Sequence, residues 1–345
     1  MTDDLIWLWA FNIIINSFLT LITLIAIVYS AEKILCLRNP RLLVFIGFLP
    51  FVKLFIDPFL YEYSSWAIAK GFDPFICEEG TRSLNLSLAS VGWFFGFTVY
   101  NQWGFSIADV LAIKLGSSFV KASVVFVSLF FIFRLSLVLK EIYKGRGEIN
   151  NLISHSEVFS VPIENEKLEK ALLRHNVCLH LSGIVASPVA TGFRSKKIIL
   201  PKSSLEWSAS EREAAIAHEL EHLRYYDQIS FTFMRVFLKI FCCLPAHNWK
   251  KRLEYLCECS CDAAVYRYQI PSSDLATALI LVARNEKKFQ QWGFVSISSK
   301  LSLEKRVQHL LEMDRYKTNR YFLYLQLCMV LLLVLGILPG KFWIF

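Results

Sequence analysis

Four apolar segments in this chain are long enough to cross the roughly 30 Å hydrocarbon layer of a bilayer. They run over about Leu5–Tyr29, Leu42–Leu60, Phe119–Leu139 and Tyr321–Leu338. The second is interrupted by Lys53 and Asp57, and the third holds Lys121 and Arg134. A span in lipid must bond its own backbone, so each is read as a helix. Composition agrees: 55% of the 345 residues are hydrophobic and only 19% are charged, where a soluble domain carries roughly a quarter. The first segment is too long for a signal-peptide core and no small-residue cleavage site follows it, so it is expected to be retained. Leu84–Trp103 is aromatic-rich but carries Asn85, Ser87, Ser90, Asn101 and Gln102; it reads as interfacial or re-entrant.

Basic residues orient the spans. Lys33, Arg38 and Arg41 follow the first span, and Lys140, Lys144, Arg146, Arg315, Lys317 and Arg320 flank the long polar segment. Asp3 and Asp4 precede the first span, and acids outnumber bases after the second. The expected topology has the N-terminus outside, residues 140–320 in the cytoplasm and the C-terminus outside, in a bacterial inner or plasma membrane. The net charge of +8 is then anchoring charge, and no basic stripe with interleaved aromatics suggests nucleic acid as a partner. The nine cysteines are odd in number and fall mostly in cytoplasmic or membrane positions, which excludes a disulfide framework.

Within the polar segment, "KGRGEINN" (Lys144–Asn151) reads as a short hinge. Val158–Ile163, Val177–Ser182 and Lys196–Pro201 read as strands of a small sheet. The rest reads helical. Ser208 followed by Glu211 is a capping-box spacing that opens a helix, expected to run through Asp227 towards Cys243 and to end before Pro245.

That helix contains H-E-x-x-H. His218 and His222 are four residues apart, share one face and can reach one ion. Glu219 is turned about 100° from His218, suited to face water beside the ion without binding the ion itself. A catalytic zinc takes three protein ligands and keeps one position open. Downstream, "EYLCECSCDAAVY" holds Glu258, which can complete a His-His-Glu set, and Asp262 one turn on, which can accept from the outer N–H of an imidazole. Asp227 is a second candidate for that role, or for an ion pair with a nearby arginine. Without a metal, the same residues would be two solvated histidines and a pair of surface acids. Cys257, Cys259 and Cys261 look at first like a soft-metal motif, but alternate residues on a helix diverge and no second C-x-C or C-x-x-C accompanies them; they read as small buried thiols. His155, His175, His180, His247 and His309 stand alone and take structural or surface roles.

These motifs together resemble a known family. "HELEHLRYYD", "ECSCD" about 36 residues later and "SPVATGFRSKKIILP" (Ser187–Pro201), with three spans before the domain and one after, resemble the BlaR/MecR-type membrane metallopeptidases. HtpX and the CAAX prenyl proteases are more distant relatives. The resemblance covers roughly residues 1–340. It implies a zinc endopeptidase with His218, His222 and Glu258 as ligands of one zinc ion per chain and Glu219 as general base. Asp262 and Asp227 would stand behind the imidazoles. Thr191, Gly192 and Phe193 would form the edge against which a peptide lies, with a candidate self-cleavage loop around Val189–Arg194. Arg306, in "SLEKRVQHLL", is a candidate to stabilise the oxyanion; a surface arginine beside Glu304 is the other reading. After the fourth span only "PGKFWIF" remains, which predicts that no extracellular penicillin-binding domain senses the signal.

The expected fold is a mostly α membrane protein with about four transmembrane helices and a cytoplasmic α+β zincin-like metallopeptidase domain. Residues 1–139 form the membrane region with an extracellular loop at 61–117, residues 140–318 the peptidase domain, and residues 319–345 the last span and a short external tail. The expected function is hydrolysis of a cytoplasmic or membrane protein, self-cleavage included, in signal transduction or regulation. Membrane lipids and a second copy in a homodimer are the other partners this reading allows. A quality-control protease like HtpX and a non-enzymatic receptor or scaffold keeping the fold are the alternatives. An intramembrane protease is disfavoured, because Glu211, Arg212, Glu213, Arg224 and Asp227 on the motif helix are costly in the bilayer core.

Overall fold

The computed structural model describes residues 21–34, 39–53, 115–160, 162–192, 195–241, 244–290 and 300–313, together with Gln326, Cys328, Val330 and Leu331. The start of the first predicted span, the end of the second, the loop with Leu84–Trp103, most of the fourth span, the external tail, Phe193 and Arg194 lie outside the described residues. The chain divides into two compact units. One comprises Met1–Leu137, Phe237–Lys250 and Arg320–Phe345; the other comprises Val138–Val236 and Lys251–Asn319.

In the first unit, residues 21–34 and 40–53 are helical. Helix α1, Ser117–Ser154, is 38 residues long and, among the described residues, is the helix long and apolar enough to cross a membrane. Phe126, Leu129 and Ile132 on it are more than 60% exposed, a surface suited to lipid rather than water. Arg134 in its apolar half donates from Nε to the Lys239 carbonyl at 2.7 Å, so this charge is bonded where it would otherwise be costly. Phe51 meets Phe237 edge-on at 5.2 Å, and the Trp249 indole donates to Gly47 O at 2.9 Å. The hinge expected at Lys144–Asn151 is absent: α1 continues through it to Ser154. Gly145 and Gly147 cost helix stability but do not break it, and no neighbour crowds either position.

The second unit holds the sheet. Strands β1 (Glu157–Val158), β2 (Val177–Ser182), β3 (Val189–Thr191) and β4 (Lys196–Pro201) lie in the order β1-β2-β4-β3. β2 and β4 run parallel, with Val177 opposite Lys196 and Ser182 opposite Pro201; β1 and β3 flank them antiparallel. Among the described residues, the strand expected over Val158–Ile163 is only its first residue, together with Glu157. β3 is left at the edge. Its turn into β4 passes through Gly192 at φ +93°, where a Cβ would come 1.9 Å from Ser195 O, so the turn requires glycine.

Helix α2 (Glu166–Arg174) is capped by Asn165, whose side chain accepts from the Leu168 amide. Helix α3 (Ala209–Tyr225) starts at Ser208 with the full capping box. Leu168 and Leu172 of α2, Ile198 and Leu200 of β4, and Ala214, Ala217 and Leu220 of α3 form the core with residues of helix α6 (Ser272–Gln290). α3 is buried on nearly every side, and the carboxylates it carries are bonded accordingly. Glu213 accepts from the Glu164 and Asn165 amides. Glu221, fully buried, accepts from Tyr268 Oη at 2.7 Å and pairs with Arg224 and Arg267.

The helix does not run on towards Cys243. Tyr226 adopts a left-handed conformation at φ 55° and caps α3, and a new helix, α4 (Asp227–Phe241), starts at the next residue. Helix α5 (Leu244–Val265) and helix α7 (Lys300–Met313) complete the described elements; Pro245 sits in the first turn of α5, where its missing N–H costs nothing.

Glu221→Ala removes a buried acceptor from Tyr268 and is expected to cost about 2 kcal/mol, seen as a lower Tm of the detergent-solubilised chain. Arg224→Ala, whose side chain is 41% exposed, is expected to cost less than about 1 kcal/mol.

Candidate metal centre

His218 and His222 leave the same face of α3 and meet edge-on, with ring centroids 4.9 Å apart and Nε2 atoms 3.2 Å apart. Glu258, from α5, brings Oε2 to 3.4 Å from His218 Nε2 and Oε1 to 3.6 Å from His222 Nε2. The donor atoms of these three residues lie within 4.8 Å of one another. The Glu258 side chain is 38% exposed, so the cluster opens to solvent on that side.

Behind each imidazole stands a carboxylate. Asp262, one turn after Glu258, places Oδ1 2.9 Å from His218 Nδ1, an ion-pair distance without hydrogen-bond geometry. Asp227 Oδ2 is hydrogen-bonded to His222 Nδ1 at 3.0 Å. The break at Tyr226 makes the second contact. On an unbroken helix, residues five apart diverge by about 140°, and Asp227 would face away from His222. Arg306, from α7, closes the arrangement. It donates from Nε and Nη2 to both oxygens of Asp262 at 2.8 Å and sets Nη1 2.9 Å from Glu258 Oε2. It is only 8% exposed, so the surface arginine beside Glu304 is not what the structure contains.

The charges fit a cation. Asp227, Asp262 and Glu258 against Arg306 leave two negative charges around two imidazoles. With each Nδ1 turned to a carboxylate, the two Nε2 lone pairs face each other, which is unfavourable unless a positive charge stands between them. Protons can supply it: burial opposes the imidazolium at His218, but the adjacent carboxylates of Asp262 and Glu258 prevail and push its pKa up to about 9. His222 is raised for the same reasons, burial being outweighed by Glu258 and Asp227. Glu258 is held well below the usual carboxylate range, its partial desolvation overcome by His222, His218 and Arg306. A divalent ion bound by His218, His222 and Glu258 would replace those protons and leave a position open, so the residues present fit a metal.

Glu219 accepts from the Ala190 amide of β3 at 2.9 Å, and burial raises its pKa. The Ala190 carbonyl is taken by the Gln228 side-chain amide. Both backbone groups that Ala190 turns outward from the sheet edge are thus occupied. Thr191 ends β3 and Gly192 begins the turn; Phe193 lies outside the described residues.

Residue spacing alone did not point to Gln228. Cys257 and Cys261 are a pair that the alternation through Cys259 hides. They are four residues apart and both fully buried, and they converge on His222 and Asp227, whereas Cys259 diverges. Cys261 Sγ lies 3.4 Å from His222 Nδ1 and 3.5 Å from Asp227 Oδ2. The i, i+4 spacing was the available signal.

A family model described as BlaR1 peptidase M56 matches residues 109–310, more than half of the chain. The match takes in the sheet, the motif helix, Glu258, Asp262 and Arg306. No curated protein matches significantly.

Asp262→Asn is expected to lower divalent-metal affinity roughly 10–100-fold, read by competition with a chromophoric chelator. The His218 pKa of about 9 lies above its ordinary 6.5. In the metal-free chain, protonated His218 therefore contributes stability that is complete below pH 6.5 and lost as pH rises through about 9. Metal affinity is expected to strengthen over the same window, because binding requires that proton to leave.

Proposed function

The chain belongs to the BlaR1 peptidase M56 family, and from that premise we propose that it is an integral-membrane zinc endopeptidase. The peptidase unit faces the cytoplasm and cuts a cytoplasmic or membrane protein, its own chain included, in a regulatory role. One observation carries this reading: the Nε2 atoms of His218 and His222 and the carboxylate of Glu258 converge on one point, with an acid behind each imidazole. Two nitrogens and one oxygen with an open side favour zinc.

His218, His222 and Glu258 would hold the ion. When bound, zinc supplies Lewis acidity, polarising a peptide carbonyl and making water a better nucleophile. Glu219 accepts the proton of the attacking water and passes it to the leaving amine. Its raised pKa suits the first step, since a carboxylate more basic than usual takes a proton more readily. Asp262 and Asp227 keep the imidazoles turned with Nε2 inward. Arg306 has Nε, Nη1 and Nη2 engaged by carboxylates, which favours a positioning role over direct contact with the oxyanion. β3 takes the substrate as an added strand, bonding its backbone through Ala190. The peptide displaces the Gln228 amide and releases Glu219 from the Ala190 N–H.

Glu219→Gln is expected to keep its metal while cleavage of an unstructured probe such as casein, and of the chain itself, falls by at least about 100-fold. Undiminished cleavage in a metal-loaded variant would overturn the assignment of the base.

A further inference from the structure

We propose that Cys257, Cys261, Asp227 and His222 form a second cation site, built for a thiophilic divalent ion such as Zn²⁺ or Cd²⁺. Their donor atoms lie within 4.8 Å of one another. Two sulfurs, one carboxylate oxygen and one imidazole nitrogen make a four-donor set of the soft kind that tetrahedral zinc and cadmium take. The site is distinct from the His218–His222–Glu258 cluster. It uses the other nitrogen of His222, Nδ1, and shares no donor atom with that cluster.

Three features support it beyond proximity. The sulfurs stand on successive turns of α5, a rigid element, so their spacing is set by the helix. Both cysteines are fully buried and Asp227 is 4% exposed, so an ion there is screened from water and bound ligands are not readily exchanged. The charge also balances. As each Sγ–metal bond forms, the thiol releases its proton to solvent, and the two thiolates match one divalent cation. The ion therefore enters without disturbing the balance among Asp262, Glu258 and Arg306.

His222 couples the two sites. An ion on Nδ1 takes the place of the hydrogen bond from His222 to Asp227, which in the proposed enzyme orients the ring; the Nδ1 proton passes to Nε2, so His222 serves one site at a time. Excess thiophilic cation is therefore expected to act on His222 from behind.

The test uses the full chain in detergent, stripped of metal and titrated with Cd²⁺. His218→Ala empties the first site and leaves every donor of the second. This variant is expected to bind about one Cd²⁺ per chain and to develop the ultraviolet thiolate-to-cadmium charge-transfer band. Adding Cys257→Ser and Cys261→Ser is expected to abolish both. A parent chain that binds cadmium without the band overturns this proposal and leaves the peptidase reading intact. A band that survives the two serines also overturns it, since other cysteines would be responsible. Cys257→Ser and Cys261→Ser in the parent leave the first site alone; if that variant binds no ion, the peptidase reading falls while this proposal stands on the band of the His218→Ala variant. Circular dichroism of each variant confirms that α5 is folded.

Discussion

A low-dielectric interior tolerates charge only when the charge is cancelled close by. Around His218 and His222 this constraint governs four elements at once. α3 brings the imidazoles and α4 brings Asp227. α5 brings Glu258 and Asp262, and α7 brings the one guanidinium that keeps two of the carboxylates together. Removing any one member leaves the others uncompensated, and the positive charge at the Nε2 atoms comes from protons or from a bound cation. The same rule applies along the rest of α3, where Glu213 and Glu221 are each bonded to neighbouring elements.

The placement of the sheet follows from packing. Ile198 and Leu200 of β4 face the apolar side of α3, and β3 is paired with β4 on one edge only. The unpaired edge of β3 therefore comes beside the histidine motif, with Ala190 against Glu219. In a peptidase, this geometry sets a strand-binding edge and a base side by side with no additional loop. The edge does not stand bare, since Glu219 and Gln228 satisfy it, as exposed strand edges generally require.

Much of this was legible before any coordinates. The four-residue spacing of His218 and His222 places them on one face, and that of Glu258 and Asp262 does the same, because helix geometry converts spacing into direction. The capping box at Ser208 and the strands Val177–Ser182 and Lys196–Pro201 were likewise local signals. What escaped was decided by contacts far apart in sequence or by backbone choices with no residue signature. Tyr226 is an aromatic residue in the left-handed region, where glycine or asparagine would have announced a break. The expected hinge at Lys144–Asn151 failed in the opposite way, because two glycines lower helix propensity without ending a helix that neighbours extend. Arg306 could be placed on a helix from its surroundings, but nothing local says that it faces Asp262 across 44 residues. Cys257 and Cys261 were obscured by the more conspicuous alternation through Cys259.

The late position of Arg306 bears on when the site can come into being. A ribosome delivers both histidines, Glu219, Glu258 and Asp262 well before the helix that carries the arginine. Until Lys300–Met313 has emerged and packed, Asp262 and Glu258 have no guanidinium between them, and the imidazoles have no fixed carboxylate behind His218. The carboxylates behind and beside His218 are therefore held together only once that helix has packed. In the proposed peptidase, assembly of the site would be tied to the last helix of the unit, so that the cluster is completed late in synthesis.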